Sequence, residues 1–158
     1  PEDRTAWGDA MKIRQLSLFL ENRPGQLRVP VKVLGDAGID VLTMSLADTQ
    51  QFGILRLIVK DWEKAKKVLE AAGIVVNVTE VLAVDVPDRP GGLAGVLEAF
   101  EKAELGIEYM YAFAASRERG KYATLVFRLE DPDRAAKLLS IGGVKLVSSD
   151  ELFARAGA

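Results

Sequence analysis

The chain has 158 residues, 49% of them hydrophobic and 28% charged, with a net charge of −2. That is room for one ordinary domain or two small ones of a globular protein, without the basic footprint that nucleic-acid binding needs. It contains neither Cys nor His, which excludes thiol nucleophiles, disulfides, imidazole bases and the usual zinc ligands. Catalysis by carboxylate or lysine stays open.

Residues 1–10 show no periodicity and read as an N-terminal tail, with Trp7 its one large apolar residue. From Lys12 to Leu20 the apolar residues Leu16, Leu18 and Leu20 alternate as in a strand. Asn22-Arg23-Pro24-Gly25 turns the chain, and Leu27, Val31 and Leu34 mark one side of a helix that ends at Gly38. Pro30 costs about 3 kcal/mol in a helix interior, so it predicts a late helix start or a kink. Asp40–Ala47 and Gly53–Lys60 read as strands around a turn at Thr49–Gln51. Asp61 is placed to cap a helix through Ala65, Val68 and Leu69, closed by Gly73, with a strand at Ile74–Val78 after it. The order then begins again. A strand at Val81–Val86 leads to the turn Asp88-Arg89-Pro90-Gly91, a helix through Leu93, Val96, Leu97 and Phe100, and a strand at Gly106–Ala114. A charged loop at Ser116–Gly120, a strand at Tyr122–Leu129, a helix at Asp131–Leu139 and a last strand at Val144–Ser148 complete it.

The two halves are copies. At an offset of 66, Arg23-Pro24-Gly25 meets Arg89-Pro90-Gly91, and Leu27, Ala37 and Met44 meet Leu93, Ala103 and Met110. After the Ser116–Gly120 loop the offset becomes 70, where Asp61, Leu69 and Gly73 meet Asp131, Leu139 and Gly143. The shift falls in a loop, where insertions are tolerated. Each copy reads β-α-β-β-α-β, the ferredoxin-like order. The expected fold is α+β: two tandem ferredoxin-like units packed side by side into a continuous antiparallel sheet with helices on one face. A first repeat is expected over residues 11–78 and a second over 79–158.

A strand, then Asn/Asp-Arg-Pro-Gly-x-Leu, then a helix ending in Ala37-Gly38-Ile39-Asp40-Val41, inside such a repeat, resembles the ACT domain. The resemblance covers residues 12–149 and is to the small stand-alone tandem-ACT proteins of bacteria. It implies a non-catalytic regulatory protein that binds a free amino acid between paired units. Its ligand would lie between the turn before the first helix and the second strand of a neighbouring unit. It further implies a homodimer, a regulated enzyme partner and no cofactor. By the same resemblance Asn22, Arg23, Pro24 and Gly25 match the ligand-facing turn, and Asp40 the polar residue at the start of the second strand. In the second copy Asp88, Arg89, Pro90 and Gly91 match, but Gly106 replaces the polar residue and Glu104 replaces the helix-ending glycine, so two unequal sites are expected.

The residues allow plainer readings beside these. Gly25 and Gly91 suit a turn that needs glycine, with or without a ligand carboxylate at nearby N–H groups. Asn22 and Asp88 could cap helices. Arg23 and Arg89 could be solvated, and Asp40 could be a turn residue. Tyr109, Tyr111 and Phe113 share one strand face, as sheet core, as an oligomer contact, or as a wall for an apolar or aromatic ligand side chain. Glu98, Glu101, Glu104 and Glu108 read as a solvated face rather than a metal or acid–base site. The leading expectation is an amino-acid sensor of the cytoplasm, with no nucleic acid or membrane among its partners, since no apolar run has spanning length and no signal pattern is present. The alternative is an interaction module that kept the fold and lost the ligand. Acylphosphatase-like catalysis through Asn22 and Arg23 is disfavoured by the Pro-Gly that follows.

Overall fold

The computed structural model describes residues 2–113 and 121–157. It contains helix α1 (Glu2–Met11), strand β1 (Lys12–Glu21), α2 (Arg28–Asp36), β2 (Thr43–Thr49), β3 (Phe52–Ile58), α3 (Trp62–Ala71) and β4 (Val76–Pro87). These are followed by α4 (Gly92–Lys102), β5 (Ile107–Phe113), β6 (Tyr122–Leu129), α5 (Pro132–Ile141), β7 (Lys145–Val147) and α6 (Ser149–Arg155). The charged loop expected at Ser116–Gly120 lies outside the described residues. Two compact units result: Arg14–Thr79, and Glu80–Ala158 together with Pro1–Ile13.

Both units have the ferredoxin-like order. In the first, the strands run β2-β3-β1-β4, with β1 and β2 each antiparallel to β3. Leu18 stands across from Leu55, and Leu55 across from Leu46, so these side chains share a face. On that face Leu16, Leu18, Leu55 and Leu57 form a dry core with Leu34 of α2 and Ala65 and Leu69 of α3. Pro30 falls in the first turn of α2, where no helical hydrogen bond is lost, so the late start is what the chain adopts.

In the second unit β4 pairs with β6 and β7, and β6 with β5, all antiparallel. Leu82, Val84 and Val86 meet Phe100 of α4, Phe127 of β6 and Ala135 and Leu139 of α5. The rings of Phe100 and Phe127 lie 4.8 Å apart, centre to centre. The predicted caps hold. Asp61 accepts from the Lys64 N–H and Asp131 from the Arg134 N–H, each at 3.0 Å.

Four features depart from the sequence reading. The strands expected at 74–78 and 81–86 are one continuous strand, β4, because nothing between Asn77 and Val81 can turn the chain. β2 begins at Thr43 rather than Asp40, which leaves Asp40 in the connector. Within residues 1–10, read as a tail, the described residues 2–10 lie in helix α1, which touches α5 and α6. Directly after it, Lys12 reaches Asp9 and Asp133 at 3.0 Å and Glu80 at 3.1 Å. Finally, α6 follows the last strand, capped by Ser148, whose hydroxyl accepts from the Glu151 N–H at 3.2 Å.

Helix α6 is held to β4 by charge. The Asp85 side chain is 1% exposed and faces away from the Leu82–Val84–Val86 core. Arg155 grips it with both guanidinium nitrogens, at 2.7 and 2.9 Å. Thr124 donates to it at 2.9 Å, and Lys145 lies 3.1 Å away. Burial pushes the Asp85 carboxyl up, but the hydrogen bonds from Arg155, Thr124 and Lys145 outweigh it and hold the group below the usual carboxylate range.

Candidate functional site

The first Arg-Pro-Gly turn is built from local backbone bonds. The Arg23 N–H donates to the Glu21 carbonyl at 2.8 Å, that of Gln26 to Arg23 at 3.2 Å, and that of Arg28 to Gly25 at 3.1 Å. Gly25 sits at φ +87°, a left-handed conformation open to glycine at little cost. Asn22 does not cap α2. The residue at the cap position is Leu27, already helical and without a side-chain cap bond. Instead Asn22 ties the turn to the β2–β3 hairpin. Its N–H donates to the Gln51 carbonyl at 2.9 Å, and its side-chain amide donates to Asp48 Oδ1 at 3.2 Å and to the Gln50 carbonyl at 3.1 Å.

A cavity of about 270 Å³ lies between this turn and the hairpin. Glu21, Asn22, Arg23 and Asp48 supply its polar lining, and Leu20, Leu27, Leu46, Ala47 and Gly53 its apolar lining. Arg23 forms an ion pair with Glu21, both side chains being well exposed. Leu46, Ala47 and Asp48 of this lining belong to β2, the outer strand of its unit, where Met44 and Leu46 are 44% and 55% exposed. Asn22 and Arg23, chosen from sequence, line this space; Pro24 and Gly25 shape the turn, and Asp40 is an exposed connector residue outside the lining. Sequence reasoning missed Asp48 and Leu46. Their signal was the alternation along the second strand, which places both on the side of the Leu residues.

The second turn is a different object. Gly91, at φ +82°, is the N-cap of α4, so Asp88 is not its cap. The Asp88 N–H donates to the Lys121 carbonyl at 3.1 Å, and the Arg89 N–H to that of Pro87 at 2.9 Å. The helix begins at Gly92, and a Cβ there would stand 2.0 Å from the Pro87 carbonyl oxygen. The first repeat has Gln26 at that position and starts its helix two residues later, at Arg28. Asp88, Arg89, Pro90 and Gly91 are all exposed. Tyr109, Tyr111 and Phe113 do share one face, opposite Arg128, Val126 and Thr124. That is the face of Asp85 and α6, not the face of the Phe100–Phe127 core. Among the described residues, no group of three or more His, Cys, Asp or Glu is placed to hold a metal ion, and no helix is long and apolar enough to cross a membrane.

Two repeats of this order, with an Arg-Pro-Gly turn opening each first helix, define a pair of ACT domains. The family model described as the ACT domain pair matches residues 11–155, and the chain belongs to that family. Among solved structures it is similar to protein BT0572 from Bacteroides thetaiotaomicron, at 36% identity and a TM-score of 0.83, over 92% of this chain and 98% of that one. It shares its fold with the regulatory subunits of aspartate kinase from Thermus thermophilus and Thermus flavus, at 16% and 18% identity and TM-scores of 0.60 and 0.57. Those matches cover 85% and 84% of this chain and 93% and 94% of theirs. No curated protein matches the chain.

Proposed function

We propose that this protein is a non-catalytic regulator that senses a free amino acid at the first Arg-Pro-Gly turn. The observation that carries the reading is the cavity between that turn and the β2–β3 hairpin, whose lining combines charges of both signs with hydrocarbon. A free amino acid carries the same combination: an ammonium and a carboxylate together with a side chain. A pocket of about 270 Å³ is also small by the standard of ligand sites, as a single amino acid needs. Family membership supports the reading, and so does the absence of His and Cys, the commonest catalytic acid–base and thiol groups.

The cavity is lined in part by an outer strand with uncovered apolar side chains, so a second copy docking along β2 closes the site. A ligand touching both copies then favours that pairing over a looser one. The output passes to an enzyme partner in the cytoplasm, a role for which the aspartate kinase regulatory subunits offer the model.

The test is a thermal-shift and calorimetric screen of the twenty common amino acids. A ligand at a hundred times its dissociation constant stabilises the folded state by about 2.7 kcal/mol, a shift that is easily read. If none binds at millimolar concentration, the sensor reading fails and the interaction-module alternative takes its place.

A further inference from the structure

We infer that the site selects a neutral amino acid with an apolar side chain and rejects acidic ones; this rests on the amino-acid-sensing reading. The polar lining carries two carboxylates, Glu21 and Asp48, and one guanidinium, Arg23. The backbone charges of an amino acid satisfy this set. Asp48 uses one oxygen to accept from Asn22, and a carboxylate has about four acceptor sites, so it can also take an ammonium. Among the described residues Arg23 is held by the exposed Glu21, and exposed pairs are worth at most about 1 kcal/mol, so a ligand carboxylate exchanges with Glu21 at little cost. Glu21 then lies beside the incoming ammonium.

With both charges of the zwitterion met, the lining that this copy leaves for the side chain is hydrocarbon: Leu20, Leu27, Leu46 and Ala47. An aspartate or glutamate would bring a second carboxylate to that hydrocarbon, in a lining that already carries more negative than positive charge. Burying an unpaired charge costs far more than a missing methylene, so discrimination against acidic side chains is steep and discrimination among apolar ones shallow.

The experiment is isothermal calorimetry of the 158-residue chain with each of the twenty amino acids. Leucine, or another apolar member, is expected to bind on the order of 100-fold more tightly than aspartate. Asp48→Asn keeps an acceptor for Asn22 but removes the charge, and is expected to weaken leucine binding about tenfold. Leu27 lines the cavity from outside β2 and is exposed, so Leu27→Arg is compatible with folding. It is expected to turn the preference toward aspartate. A tighter fit for a charged or polar amino acid, or an unchanged leucine affinity in Asp48→Asn, overturns this inference and leaves amino-acid sensing intact. Binding of none of the twenty overturns both.

Discussion

Single residues decide how alike the two repeats are. Helices α2, α3, α4 and α5 end in the same way, with the N–H two residues past the cap returning to a carbonyl of the last turn. The bonds are Ile39 to Leu34, Ile74 to Leu69, Leu105 to Phe100 and Val144 to Leu139, all at 2.9 or 3.0 Å. The motif needs a left-handed residue just before that donor. Three helices place glycine there, Gly38, Gly73 and Gly143, whereas α4 places Glu104 at φ +52°. A side chain in that conformation costs about 1 kcal/mol. Glu104→Gly is therefore expected to raise unfolding stability by about 1 kcal/mol in urea titrations, with an unchanged slope. The substitution of Glu for Gly was visible in the alignment of the halves. That the backbone keeps its left-handed turn regardless was not, since only the return bond from Leu105 shows that the motif formed.

Among the elements, the first turn and its strand were legible, and the added helices were not. Strand alternation, capping aspartates and Gly-terminated helices are local patterns, and each is a preference of the chain over a few residues. Helix α6 has one local signal, Ser148 three residues before Glu151, which the strand reading at Val144–Ser148 passed over. It forms where Leu152 is buried and Arg155 reaches Asp85, a residue 70 positions earlier. That pairing sets a pH dependence. The folded-state carboxyl of Asp85 titrates below its unfolded value of about 3.9, so its contribution is complete above that pH and is lost as the pH falls through the lowered value. Asp85→Asn is expected to cost about 3 kcal/mol at neutral pH, because it leaves Arg155 without its buried partner. It is also expected to flatten the decline in stability below about pH 4, as read by denaturation across pH 2–7.

For the whole molecule, the proposed sensing mechanism makes self-association the observable. β2 is the outer strand of its unit, and it carries Met44 and Leu46 exposed next to the cavity. Sedimentation velocity is expected to show a dimer whose dissociation constant falls at least tenfold with a saturating apolar amino acid, by the linkage between ligand and pairing. Leu46→Arg is expected to weaken association without ligand, since it sets a charge on an apolar contact. A monomer under all conditions would refute closure by a second copy.

The sequence by itself determined the duplication, the ferredoxin-like order of each repeat and the place of the two Arg-Pro-Gly turns. These follow from periodicity and from turn chemistry that a few neighbouring residues enforce. It also determined that the two turns differ, through Glu104, Gly106 and Asp88. Only the tertiary structure decided what completes the first turn. Asn22 reads locally as a helix cap, yet its amide is taken by Asp48 and Gln50, 26 and 28 residues away. A side chain with one amide takes the partners that strand pairing brings to it, and β1 and β2 are brought together only through β3. The same holds for Lys12, whose partners Asp9, Glu80 and Asp133 come from three separate parts of the chain. Local patterns fix the elements; long-range pairing fixes which side chains meet, and the cavity is made where they do.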